Sequence, residues 1–223
     1  MPSRWHAEKL AVVEAGREIA RKGLVAGTAG NVSLRVGGPS DELVAITRSG
    51  KQYDRLSEDD ILIISFDADV VEGDHTPSIE SMMHIACYRA RADVRAVVHT
   101  HSIYASALAV ARLELPPMID EMIVHLGGEV RIAAYGFPSS EELAASVAAA
   151  LADRSATLMA NHGVVGVGKD MREALMVCEL VERCAQIYVL ARAIGTVHEL
   201  PADVIETEKE LYKMAHRPEV DAP

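Results

Sequence analysis

Long uncharged runs are missing from this chain of 223 residues, and with them any stretch able to span a bilayer. Basic charge is also short: 22 lysines and arginines stand against 33 aspartates and glutamates, a formal net charge of −11. Sequence-independent nucleic-acid binding needs a basic footprint, so that class is excluded. A small anionic substrate would need a local site of backbone N–H groups, hydroxyls or metal. Cysteine is scarce: Cys87, Cys178 and Cys184 sit in helical patterns without CxxC spacing, and Met1-Pro2-Ser3-Arg4-Trp5 has no apolar signal core. Buried, reduced structural thiols in a bacterial-type cytoplasm are the expectation. No internal repeat, linker or low-complexity tract interrupts the chain.

What is present is a globular composition, 49% apolar with a mean hydropathy of +0.10. This length suits one domain over 1–223, with a polar C-terminal tail after about 218. Ser3 is placed to cap a helix running to about Val25, broken by Gly27-Thr28-Ala29-Gly30-Asn31. Strands are expected over Val32–Val36, Leu43–Thr47, Ile61–Ser65, Val94–His101, Glu129–Ala134, Ala156–Ala160 and Val164–Val167. Helices are expected from near Ser78, through Ala105–Ala111, from a Ser139/Glu142 capping box to Ala152, and from Asp170 to a Gly195 cap. The last of these closes the regular structure. Several strands lie too close together for helical crossovers, which implies a mixed, largely antiparallel sheet with helices on both faces.

The chemistry concentrates in His99-Thr100-His101. Side chains alternate along a strand, so both imidazoles leave one face at the end of an apolar run. Two imidazoles on a rigid edge form half of a zinc or related metal site. His162, in the Asn161-His162-Gly163 turn, and Glu80, in Pro77-Ser78-Ile79-Glu80, are the candidates for the rest. Glu80 alone could equally compensate a helix dipole. As a carboxylate beside a metal, it could bind the empty site and act as a base once substrate arrives. Zinc suits this donor set, and manganese, cobalt or iron would also be accepted. His6, His75, His84, His125, His198 and His216 read as structural or solvated groups. The loops Gly27–Asn31 and Thr47-Arg48-Ser49-Gly50 either form anion-binding concavities or are ordinary turns. Arg48 and Lys51 could reach a phosphate or simply be solvated.

The segments Gly-Thr-Ala-Gly-Asn, Ile-Thr-x-Ser-Gly, Pro-Ser-x-Glu, His-Thr-His and Asn-His-Gly, in this order, resemble the class II aldolase/adducin family. The branch they most resemble is that of L-fuculose-1-phosphate aldolase and L-ribulose-5-phosphate 4-epimerase, over about Leu10 to Gly195. The resemblance implies an α/β/α sandwich, a catalytic metal on His99, His101 and His162, and Glu80 as fourth ligand and acid/base. It implies that Gly30, Asn31, Ser49, Gly50 and Ser78 hold a sugar phosphate, and that the chain assembles as a C4 homotetramer with sites between subunits. Aldol cleavage of a ketose 1-phosphate to dihydroxyacetone phosphate and a small aldehyde is the implied reaction. The alternatives are 4-epimerisation, dehydration, decarboxylation, or a metal-free adducin-like assembly role.

This chain departs from the family pattern in places. Ile79 stands where the phosphate loop often has a second serine. Asp120-Glu121-Met122 replaces a tyrosine of the fuculose-phosphate aldolases. Related methylthioribulose-1-phosphate dehydratases carry a Glu-Met pair there, with that Glu as acid/base, which makes Glu121 a catalytic candidate. Those dehydratases lack the counterpart of Glu80, which favours aldol cleavage here. Tyr212 is a loose candidate for the tyrosine that the aldolases bring from their C-terminal tail.

Overall fold

Alternation of buried side chains sorts the strands onto two cores. In a computed structural model that describes residues 3–38 and 41–216, Val44, Ile46, Leu62, Ile64, Val97 and Val165 face one core, while Ala45, Ile61, Ile63, Ala96 and Val98 face the other. Each fully buried Val, Leu or Ile contributes about 1.5–3 kcal/mol relative to its exposed state. This period of two on both faces is what a sheet covered on both sides requires.

The strands are β1 (Asn31–Val36), β2 (Leu43–Thr47), β3 (Ile61–Ser65), β4 (Val70–Glu72), β5 (Ala96–Thr100), β6 (Arg131–Ala133), β7 (Ala156–Met159) and β8 (Val164–Gly168). Among the described residues they form one sheet in the order β4-β3-β2-β1-β5-β8-β7-β6. Only β6 and β7 pair in parallel; the other neighbours are antiparallel. Helices α2 (Ser81–Ala90) and α5 (Glu141–Leu151) cover one face; α1 (His6–Arg21), α3 (Ile103–Ala111), α4 (Asp120–Leu126) and α6 (Met171–Ile194) lie on the other. The result is the α/β/α sandwich with a mixed, largely antiparallel sheet that was expected. No described helix is long and apolar enough to cross a membrane.

Several local expectations are corrected. Ser3 does not cap α1: Trp5 occupies that position, and the Ser3 hydroxyl accepts from the Trp5 N–H at 3.0 Å one step earlier. The helix stops at Arg21 rather than Val25 because the chain turns through Gly23 at φ +70°. The Ser139/Glu142 box does not form either. Ser139 takes a positive φ, and Ser140 caps α5 by accepting from the Leu143 N–H at 3.1 Å. A further helix, α7 (Ala202–Ala215), follows α6, where no regular structure was expected. The polar tail after 218, and the second half of the Gly37–Ser40 turn, lie outside the described residues. The three cysteines are free and buried, as expected.

Candidate metal centre and substrate cavity

Strand register brings the site together at one end of the sheet. In the β1–β5 ladder Asn31 lies opposite His99, so the first residue of one strand faces the end of the other. The β7–β8 turn reverses beside them and presents His162, helped by Asn161 at φ +56°. Glu80 closes the group from the N-cap of α2. Two glycines make this crowding possible. A Cβ on Gly163 would sit 2.2 Å from the Thr100 carbonyl oxygen, and one on Gly30 would sit 2.6 Å from that of His99. Any side chain at either position would push the turn off the strand end.

The imidazoles of His99, His101 and His162 form a triangle with ring centroids 4.8–4.9 Å apart, and their ligating nitrogens all lie within 4.8 Å of one another. His99 is fully buried and donates from Nδ1 to the Val164 carbonyl at 2.9 Å, which turns Nε2 toward the cluster. That Nε2 lies 2.9 Å from His101 Nε2 and 3.3 Å from Glu80 Oε2. Burial, then the neighbouring His99 and His162, pushes the His101 imidazole down to about 4. Burial and His99 likewise lower His162. Burial opposes the charge on Glu80, but His99, His162 and the Asn31 amide outweigh it and hold the carboxyl below its ordinary range. Glu80 Oε1 is buried and accepts no hydrogen bond, although His162 Nε2 lies 3.1 Å away. Three imidazoles whose ring nitrogens converge, beside a carboxylate with an unsatisfied buried oxygen, are the donor set of a divalent cation. The residues fit the expected metal.

A cavity of about 300 Å³ opens from this cluster. Glu80, His101 and His162 line one end, and Gly30, Asn31, Ser49, Gly50 and Ser78, the residues expected around a phosphate, line it too. Thr28, Arg48, Ile79 and Pro138 complete much of the wall. A larger cavity of about 750 Å³, between Pro116, Pro117, Tyr188 and Arg192, holds none of these groups. Asn31 differs from the other phosphate candidates: its amide donates to Glu80 Oε2 at 2.7 Å, and its carbonyl oxygen meets His84 Nε2. Arg48 and Lys51 are not simply solvated. Both pair with Asp60, at 3.5 and 3.0 Å, and Asp60 is 2% exposed.

Glu121 is exposed in the first turn of α4 and ion-paired with Arg183; it is not part of this cavity's lining. Tyr212 is corrected as a site candidate. It is buried against Gly127, with its hydroxyl 2.8 Å from that of Ser155. Two residues that matter here were passed over in the sequence. His84 had a signal in its place four residues after Glu80, one helical turn on. Asp60 had one in the Ser57-x-x-Asp60 capping box.

Known proteins of one family resemble this chain. Residues 10–189 match the family described as Class II Aldolase and Adducin N-terminal domain. The chain is 38% identical over 199 residues to a 5-deoxy-D-ribulose 1-phosphate aldolase of Bacillus thuringiensis serovar kurstaki, covering 89% of this chain and 92% of that one. It is 35% identical to the L-fuculose phosphate aldolase of Escherichia coli K12 (82% and 83% covered). It is 30% identical to a 3-oxo-tetronate 4-phosphate decarboxylase of Haemophilus influenzae (82% and 87%). A solved L-fuculose 1-phosphate aldolase superposes with a TM-score of 0.88 at 36% identity, covering 96% of this chain and 98% of that one.

Proposed function

The chain belongs to the class II aldolase and adducin family, and on that premise we propose that it reversibly cleaves a ketose 1-phosphate to dihydroxyacetone phosphate and a small aldehyde. It is an enzyme, a lyase. The observation that carries the reading is the convergence of three imidazole nitrogens on a carboxylate with one free oxygen, at the end of a cavity lined by small residues and hydroxyls.

His99, His101, His162 and Glu80 would hold a divalent cation, zinc by preference, with manganese, cobalt or iron acceptable. Such a cation, when bound, supplies Lewis acidity toward the substrate's oxygens and stabilises the negative charge of cleavage. The chain's own residues do the rest. Gly30, Ser49, Gly50 and Ser78 offer backbone N–H groups and hydroxyls to the phosphate, and Arg48, held by Asp60, adds positive charge. Ile79 leaves this loop one hydroxyl short of the usual family pattern. The C4 hydroxyl loses its proton, the C3–C4 bond breaks to release the aldehyde, and the electron pair remains as an enediolate. Glu80, having taken a proton from solvent, delivers it to C3 and takes it back in the reverse direction, while the C4 hydroxyl's proton passes to a base on the aldehyde side and on to solvent. Glu121 is our candidate for the proton on the aldehyde side, acting across a subunit boundary. Its exposure on α4 suits that role, within a single-domain chain working as a C4 tetramer in the cytoplasm.

The decarboxylase relative favours one second reading. Loss of carbon dioxide from a 3-oxo acid phosphate also leaves an enolate to be protonated, so the same residues would serve.

The deciding experiment incubates zinc-reconstituted protein with dihydroxyacetone phosphate in deuterated water and follows the C3 hydrogens by NMR, with His99→Ala as control. Stereospecific loss of one hydrogen, absent in the control, is the expected result. No exchange from fully metallated protein would overturn the aldolase reading in favour of the decarboxylase one.

A further inference from the structure

Behind Glu80 runs a line of buried polar groups that the reaction above does not use. The Tyr88 hydroxyl lies 2.8 Å from Ser33 Oγ, which lies 2.6 Å from His84 Nδ1. His84 Nε2 is 2.5 Å from Asn31 Oδ1, and Asn31 Nδ2 is 2.7 Å from Glu80 Oε2. The spacing follows from two periodicities. Asn31 and Ser33 are two apart on β1, a step of about 6.7 Å along a strand. Glu80, His84 and Tyr88 are four apart along α2, a step of about 6 Å along a helix. The two elements therefore stay in step, and a side chain from one falls between two from the other. His84 is fully buried, as are Ser33 and Tyr88 to within 1%.

The proton positions follow by elimination. The Asn31 amide nitrogen can only donate, so Glu80 Oε2 accepts from it. The Asn31 carbonyl oxygen must then accept, which requires the proton of His84 on Nε2. With the ring proton on Nε2, Nδ1 accepts from the Ser33 hydroxyl 2.6 Å away. Ser33 in turn accepts from Tyr88. Every group donates once, and every dipole points toward Glu80.

We propose that His84, acting through Asn31, is a positioning residue that fixes the orientation of the Glu80 carboxylate. Asn31, on this view, supports the acid from the wall of the same cavity. A carboxamide is free to turn by half a rotation, and only a donor at His84 Nε2 keeps its N–H side facing Glu80. The proposal rests on the reading of Glu80 as metal ligand and proton carrier.

The test compares His84→Leu with His84→Gln, whose amide places an N–H near the position of Nε2. Apparent zinc affinity is measured by competition with a chromophoric chelator, beside kcat, KM and thermal melting. Outer partners of metal ligands typically contribute 10–100-fold to affinity or activity. We expect His84→Leu to lose that much zinc affinity and kcat, with KM within threefold, and His84→Gln to recover most of it. A folded His84→Leu within threefold of the parent on both readouts overturns the proposal, as does a Gln variant no better than Leu. Should His84→Leu fail to fold, Ser33→Ala removes the donor to Nδ1 with a minimal change of volume. A several-fold loss in zinc affinity supports the relay, and an unchanged value overturns it. Zinc affinity is read without substrate. A relay that holds in that arm while no variant and no parent exchanges or cleaves would sink the aldolase reading alone.

Discussion

Asp60 and Glu80 are both buried acids behind the walls of one cavity, and they are partnered in opposite ways. Asp60 Oδ2 accepts from the Ser57 N–H at 2.9 Å and its hydroxyl at 2.6 Å, and meets Lys51 Nζ at 3.0 Å; Oδ1 faces Arg48. Burial opposes its charge, but the Ser57 hydroxyl, Lys51 and the Ser57 N–H hold it down at about 2. Among the described residues the Glu80 carboxylate has a single donor, Asn31, and otherwise faces imidazoles whose ring nitrogens converge on the same space. A buried acid whose partners are complete acts as a strut. One with an open valence among other acceptors is a place where something binds.

Exchanging the oxygen for an amide tests this contrast at its stronger end. Glu80→Gln keeps the shape of the side chain and removes its proton chemistry, and a positioned acid/base contributes roughly 10²–10⁴-fold. Cleavage and C3 exchange should fall by that range while the protein stays folded. Full activity would erase the distinction between the two acids.

At Asp60 the same change should touch stability first. Asp60→Asn is expected to cost about 1–2 kcal/mol, allowing for solvent screening around the half-exposed Lys51 and Arg48. A carboxyl whose folded value lies below its unfolded one stabilises the fold above the unfolded value. That contribution is therefore complete above about pH 4 and disappears as pH falls toward about 2. Melting curves of parent and variant should run parallel at pH 6 and converge in acid. A gap that persists unchanged at pH 2 would mean that the carboxylate charge is not what holds the loop.

The smallest expected effect sharpens the link between the two regions. Arg48→Met should raise KM for a phosphorylated substrate about tenfold, near 1.4 kcal/mol, and leave kcat within threefold. An equal fall in kcat would place Arg48 with the chemistry rather than with the anionic end.

Much of the site could be read from the sequence because its signals are local. His99 and His101 share a face by strand alternation, and Asn161-His162-Gly163 is a turn by composition. What could not be read depends on how elements sit against each other. His84 becomes part of the site only through the register of α2 against β1, and four-residue spacing on a helix is ordinary. Asn31 was expected around the phosphate from the resemblance, and its bond to His84 could not be read because that residue lies 53 positions further on. Asp60 in a capping box reads as a cap, and its burial comes from Arg48 and Lys51 folding over it. Helix α7 was missed because it buries little, Tyr212 fully and Ile205 in part, and three-residue β4 because it is an exposed edge.

The arrangement of β1, β5 and β8 also sets a timetable. Glu80, His99, His101 and His162 leave the ribosome in that order, and they meet only when the β7–β8 hairpin docks beside β5. Pairings so distant along the chain carry a loop-closure cost before they are rewarded. A site for a cation does not exist before that moment, so the nascent chain offers at most scattered single ligands to passing metals. Loading then waits for that docking, and a bound ion would fasten the β7–β8 turn to the end of β5 and to the start of α2.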